Sequence, residues 1–169
     1  MPARLVVMRH AKSAYPGGIA DHDRPLNERG ERDARAANEW FVRKGSNILG
    51  TEPQVLASTA LRAQQTWQHV SSALPNALVQ QAPQVYEALV STLVNLIAPF
   101  IDMGQSTLVV GHNPGLESLV DFLSDPDDSL DSWQTREKYP TCAIVALEFK
   151  DDSWSRASAR VTDYVVPRG

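Results

Sequence analysis

Three short, mostly apolar runs, Leu5 to Met8, Gln54 to Ala57 and Thr107 to Val110, are spread along the chain with helical patterns between them. Bounded runs of this kind fit strands buried on both faces, as in a parallel sheet. Alternation of such strands with helices predicts a three-layer α/β/α sandwich with a mostly parallel central sheet. At 169 residues the chain suits one domain spanning positions 1–169, and no segment resembles a linker.

The helical patterns are specific enough to place. Asn27 can cap a helix in which Ala34, Ala37 and Phe41 recur at helical spacing, and Gly45 is the expected stop. A second helix follows Thr59 and carries Ala63, Thr66, Trp67 and Val70 on one side. A third runs through Leu93, Leu96, Ile97 and Phe100. A fourth is expected to start at Pro114, with Leu116, Leu119, Val120 and Leu123 as its apolar stripe. Two late β-like runs, Ala143 to Phe149 and Ala157 to Val165, close the chain. Between them and the fourth helix, the acidic and polar segment Ser124 to Lys138 reads as a surface excursion.

Composition removes several function classes. The formal net charge of −4 argues against a general nucleic-acid binder, which would carry a basic stripe. The apolar runs are too short to span a bilayer or to form a signal peptide, so a cytoplasmic protein without membrane partners is expected. The single cysteine, Cys142, allows no intrachain disulfide and reads as a small buried hydrophobe within an apolar run.

The polar residues of interest fall where predicted strands end, the edge at which open α/β sheets bind ligands. The first strand runs into Arg9-His10-Ala11-Lys12-Ser13, the second into Ser58-Thr59-Ala60-Leu61-Arg62, and a later one into Gly111-His112-Asn113-Pro114. Arg62 lies in the first turn of a helix, where a cation is locally unfavourable unless an anion sits at the helix start. His112 stands just outside another helix start, with Asn113 as its expected N-cap. A neutral imidazole can attack phosphorus and form a covalent intermediate. Guanidinium groups match the oxygens of a phosphoryl group by bidentate hydrogen bonds, and a second histidine adds donors. Two arginines and two histidines therefore suffice for phosphoryl transfer without a metal or other cofactor.

With these residues in place, the chain resembles the histidine phosphatase superfamily, whose fold is phosphoglycerate mutase-like. Arg9-His10 resembles the family's R-H-G signature, with Ala11 in place of glycine. Asp23-Arg24-Pro25-Leu26-Asn27 resembles the approach to its first helix. Ser58 to Thr66 resembles its second arginine motif, and Val109-Val110-Gly111-His112-Asn113 its second histidine motif. The resemblance implies that His10 is phosphorylated, that Arg9 and Arg62 hold the phosphoryl oxygens and that His112 binds beside them. Shortness, the Arg24-Pro25-Leu26 element and Lys138-Tyr139-Pro140-Thr141 are most similar to the SixA-type phosphohistidine phosphatases.

Some assignments stay open at this level. Glu87 stands where many family members place an acidic proton donor, but it is equally a plain carboxylate at a strand exit. Ser58 and Arg24 are the expected substrate-binding residues, although Arg24 could instead pair with Asp21 or Asp23. The partner is a phosphorylated protein carrying phosphohistidine or a small phosphorylated metabolite, the latter making the chain a phosphomonoesterase. A non-catalytic phosphate-binding interaction module is the reading from another class. Asp21-His22-Asp23 lacks the spacing of known metal motifs and reads as a solvated acidic turn; His22 and His69 receive no role.

Overall fold

The computed structural model describes residues 2–128, 130, 138–151 and 155–169. Among the described residues, six strands form one sheet: β1 (Arg4–Arg9), β2 (Gln54–Ala57), β3 (Leu78–Gln81), β4 (Thr107–Gly111), β5 (Ile144–Phe149) and β6 (Ala159–Val165). Their spatial order is β3-β2-β4-β1-β5-β6. The β3-β2, β2-β4 and β4-β1 pairings are parallel, and β1-β5 and β5-β6 are antiparallel. The three apolar runs are thus β1, β2 and β4, the contiguous centre of the sheet, where both faces must be covered.

The covering is done by α1 (Glu28–Trp40), a helical extension through Leu49 containing α2 (Ser46–Leu49), α3 (Leu61–Val70), α4 (Val90–Asp102) and α5 (Gly115–Leu123). Side chains alternate across each strand. Leu5, Val7 and Val109 face Leu93, Ile97, Leu116 and Leu119 of α4 and α5. Val6, Met8, Leu108 and Val110 face Ala34, Ala37, Ala63 and Trp67 of α1 and α3. These two apolar layers, one on each side of the sheet, make the expected three-layer α/β/α sandwich.

Local chemistry explains most boundaries, and two differ from expectation. Asn27 caps α1, its side-chain oxygen accepting from the Gly30 N–H at 2.8 Å. Gly45 does not end that helix. The chain passes through a π-helical stretch, Phe41–Gly45, into α2 and stops at Gly50, which has φ +80. Gly45 keeps a helical φ of −60, and a Cβ there would fall 2.5 Å from the Phe41 ring, so its role is close packing. At α5, Pro114 sits just outside the first helical residue. Asn113 still serves that helix start, its side-chain oxygen accepting from the Glu117 N–H at 3.3 Å.

Strand β3 was absent from the apolar pattern because all four of its residues are exposed on the sheet edge. It is followed by a 3-10 turn, Pro83–Val85, so Glu87 lies in a later turn at φ +55 rather than at a strand exit. Of the segment Ser124 to Lys138, Pro126–Asp128 forms a 3-10 turn, while 129 and 131–137 lie outside the described residues. Cys142 is fully buried, and burial pushes its thiol up to about 12, in keeping with the expected small hydrophobe.

Candidate active site

Sheet order brings the carboxyl ends of β2, β4 and β1 side by side. The ladder continues past the strands: the His10 N–H donates to Gly111 O and the Ser58 N–H to Val110 O, both at 2.9 Å. His10, Ser58 and His112 are therefore held by main-chain bonds at one edge. The turn after β1 is pinned further. The Ala11 N–H donates to Thr66 Oγ1 at 3.0 Å, and that hydroxyl donates to Arg62 O at 2.7 Å. The Asn27 N–H donates to Lys12 O at 3.0 Å. A Cβ on Gly30 would stand 2.0 Å from this same Lys12 oxygen, so only glycine lets α1 approach the turn so closely.

His10 is buried, and its Nδ1 lies 2.7 Å from the carbonyl oxygen of Ala11. A carbonyl can only accept, so the ring proton is on Nδ1 and the lone pair on Nε2. Arg62 Nε donates to that Nε2 at 3.3 Å. Burial, joined by the neighbouring His112, Arg62 and Arg9 and opposed by the Ala11 bond, lowers His10 to about 3. The imidazole is thus neutral at pH 7, with its unprotonated Nε2 turned toward Arg62.

The His112 ring lies 5.1 Å from that of His10, centroid to centroid. Its Nε2 is hydrogen-bonded to Ser58 Oγ at 2.6 Å, and that oxygen also accepts from the Ala60 N–H. Burial and then the Arg62 charge lower His112 to about 4, so it too is neutral at pH 7 rather than cationic. Arg9 Nη1 donates to Tyr139 O at 2.9 Å, and Asn113 Nδ2 donates to the same oxygen at 2.8 Å. Tyr139, from the Lys138 to Thr141 element, is buried and anchors its own ring through a bond from its hydroxyl to Val7 O. Arg9 Nε and His112 Nδ1 are buried without a hydrogen-bond partner. Buried polar atoms are ordinarily satisfied, so both stand out as departures from that rule.

Beside this cluster opens a cavity of about 350 Å³ whose wall includes Asp21, Arg62, Tyr86, Glu87 and His112. Glu87 is exposed on that wall. Arg24 takes the salt-bridge alternative: Nη1 donates to Asp21 Oδ1 at 2.9 Å, Nε to Ala14 O at 3.1 Å and Nη2 to Ser13 Oγ. Its guanidinium lies 3.8 Å over the Tyr15 ring. His69 pairs with Glu31, joining α3 to α1.

The reading of Asp21-His22-Asp23 as merely solvated needs correction. Asp21 is half exposed, yet its carboxylate accepts from Arg62 Nη2 at 3.0 Å and from the Tyr86 hydroxyl at 2.5 Å. The Tyr86 bond and then Arg62 hold the Asp21 carboxyl below the usual carboxylate range. His22 Nε2 is hydrogen-bonded to Thr59 Oγ1 at 2.9 Å, and its ring meets Tyr86 edge-on. Asp21, His22 and Tyr86 were missed because they come from turns whose patterns carry no periodicity. The only available signal was the expectation of an anion near Arg62. Among the described residues, no three His, Cys, Asp or Glu groups are placed to hold a metal ion.

A buried neutral imidazole and two arginines, beside a cavity that Arg62 and His112 line, form a cluster whose chemistry suits attack on and binding of a phosphoryl group. Comparisons with known proteins agree. An uncharacterized protein of Mycobacterium tuberculosis is 40% identical over 142 residues, covering 83% of this chain and 85% of that one. A crystal structure from Agrobacterium tumefaciens, assigned to phosphohistidine phosphatase SixA, matches with 29% identity and a TM-score of 0.81 over 99% of both chains. The protein histidine phosphatase SixA complexed with tungstate matches with 25% identity and a TM-score of 0.77 over 97% of both. The sequence pattern of the histidine phosphatase superfamily, branch 1, matches residues 5–97. The chain therefore belongs to the histidine phosphatase superfamily and is a histidine-nucleophile phosphatase.

Proposed function

We propose that this protein removes phosphoryl groups from histidine side chains of other proteins, with His10 as its nucleophile. The observation that carries the chemistry is the His10 ring, whose Nδ1 is spent on Ala11 O while Nε2 faces Arg62 Nε. In the first step, the Nε2 lone pair forms a bond to phosphorus and the bond from phosphorus to the substrate imidazole breaks. The leaving imidazole departs with the proton it already carries or takes one from the cavity wall, where Glu87 offers a carboxyl. In the second step, a water oxygen forms a bond to phosphorus as the Nε2–P bond breaks; inorganic phosphate leaves with both water protons and neutral His10, still protonated on Nδ1, returns. Arg9 and Arg62 donate to the non-bridging oxygens in both steps, and Ser58 orients His112.

Two observations support phosphohistidine as the substrate. The SixA structures are similar to this chain over nearly its whole length, at 29% and 25% identity. Tyr15 and Leu89, in the turns around the site, are 72% exposed, which suits contact with a protein surface. A phosphorus–nitrogen bond to imidazole is weak and tolerates a modest acid; an alkyl phosphate does not. A cytoplasmic location is part of the same proposal. The test compares kcat/KM for a histidine-phosphorylated phosphotransfer domain, 3-phosphoglycerate and a sugar phosphate at one pH and salt. The phosphoprotein is expected to be turned over most efficiently. A metabolite turned over more efficiently would replace this reading with that of a metabolite phosphomonoesterase.

A further inference from the structure

Arg62 has five N–H donors, and three are committed before any ligand arrives. Nε donates to His10 Nε2 at 3.3 Å, Nη1 to the main-chain oxygen of Asp21 at 2.7 Å and Nη2 to Asp21 Oδ2 at 3.0 Å. One residue therefore grips both terminal nitrogens of a buried guanidinium from one side and leaves one N–H on each for a phosphoryl oxygen. Asp21 is itself held from two further directions. Its Oδ1 accepts from Arg24 Nη1, and its Oδ2 from the Tyr86 hydroxyl. Arg24 is tied in turn to Ser13 and Ala14 in the turn after β1. Asp21 thus joins three segments: the turn after β1, the start of α3 and the turn after β3.

A merely decorative surface carboxylate would not need such an arrangement. At half exposure it could find its counterions in water. Here its bonds set the plane of a guanidinium that must meet the equatorial oxygens of a transferring phosphoryl group. Arginine discriminates by that plane, since its donors form a rigid fork.

We infer that Asp21 is a positioning residue, which holds the Arg62 guanidinium in the orientation required by the transition state, with Tyr86 and Arg24 holding Asp21. This rests on the proposed role of His10 and Arg62 as the phosphoryl seat, and not on which substrate supplies the phosphoryl group. A misplacement of about 1 Å at a reacting centre costs on the order of 10²-fold in rate. The loss on removing Asp21 should therefore fall on kcat and on ligands shaped like the transition state, and much less on ground-state anions.

The experiment uses p-nitrophenyl phosphate as substrate, with vanadate and inorganic phosphate as competitive inhibitors. Wild type, Asp21→Ala, Asp21→Asn, Tyr86→Phe and Arg62→Ala are compared. Asp21→Ala should lower kcat by about 10²-fold and weaken vanadate more than phosphate. Asp21→Asn, which keeps an accepting oxygen, should recover much of the loss, and Tyr86→Phe should show a smaller loss of the same kind. Asp21→Ala with wild-type kcat, or with a loss confined to KM, beside a crippled Arg62→Ala would overturn the inference and leave the seat intact. An active Arg62→Ala would overturn the seat and the inference with it. Should Asp21→Ala fail to fold, the double variant Asp21→Asn/Tyr86→Phe decides, and wild-type turnover in it overturns the inference.

Discussion

The Ala11 carbonyl oxygen accepts the Nδ1 proton of His10 across 2.7 Å, between neighbouring residues of the same turn. That bond chooses the tautomer. It leaves Nε2 unprotonated and facing Arg62, so a main-chain group sets the tautomer that the proposed nucleophile needs. His10→Ala is expected to abolish turnover. It should also remove an acid-labile, base-stable phosphoryl label trapped by rapid quenching. A label retained on the variant, mapped to another residue, would reassign the nucleophile.

Burial also sets a pH dependence. His10 and His112 have folded-state values of about 3 and about 4, below the unfolded value of 6.5. The folded state therefore resists protonation. The stability belonging to each neutral ring is fully present above 6.5 and declines as pH falls toward the folded value, by about 1.4 kcal/mol per pH unit for each proton. Thermal melts should fall through this window, with a shallower slope in His10→Gln or His112→Gln. In proton NMR of the free protein, neither ring should titrate near pH 6.5.

Arg62 is buried but its loss strands little, because Asp21 keeps Arg24, Tyr86 and water. Arg62→Ala should therefore fold and should cost about 2.7–4 kcal/mol in transition-state stabilisation, the range for losing one preorganised donor. Circular dichroism and kcat/KM measured together separate this from a structural role. A collapsed spectrum at wild-type specific activity per folded molecule would show that Arg62 supports the fold alone.

Glu87 is exposed on the cavity wall at φ +55, where only a reason other than backbone comfort keeps a non-glycine residue. Glu87→Gln is expected to slow substrates with poor leaving groups by about 10²–10⁴-fold and to spare those with good ones. A series of aryl and alkyl phosphates measures this. Equal losses along the series would show that the carboxyl is not the proton donor.

Gly30 tests how α1 supports the turn that carries His10. A methyl group there would overlap Lys12 O, two residues from His10. Gly30→Ala should destabilise by about 1–3 kcal/mol, as overpacking does, and should lower kcat as the turn shifts. Denaturant unfolding and steady-state kinetics read both effects. Unchanged stability would mean that the helix start yields at little cost.

Burial patterns and cap chemistry are local, and the sequence by itself determined what depends on them. Leu5 to Met8 and Thr107 to Val110 had to lie inside a sheet covered on both faces, and Asn27 had to start a helix. Arg9, His10, Arg62 and His112 could be gathered at one edge because parallel strands share a carboxyl end. Tertiary structure alone decided the rest. Strand β3 exists because the β2 edge offers it unpaired main-chain groups, not because its exposed side chains demand burial. Gly45 stays helical because Trp40 and Phe41 close over it. Asp21 and Tyr86, 65 positions apart, meet Arg62 only after three turns converge. A hydrogen bond between turns follows from how the layers stack, and no period or spacing along the chain encodes it.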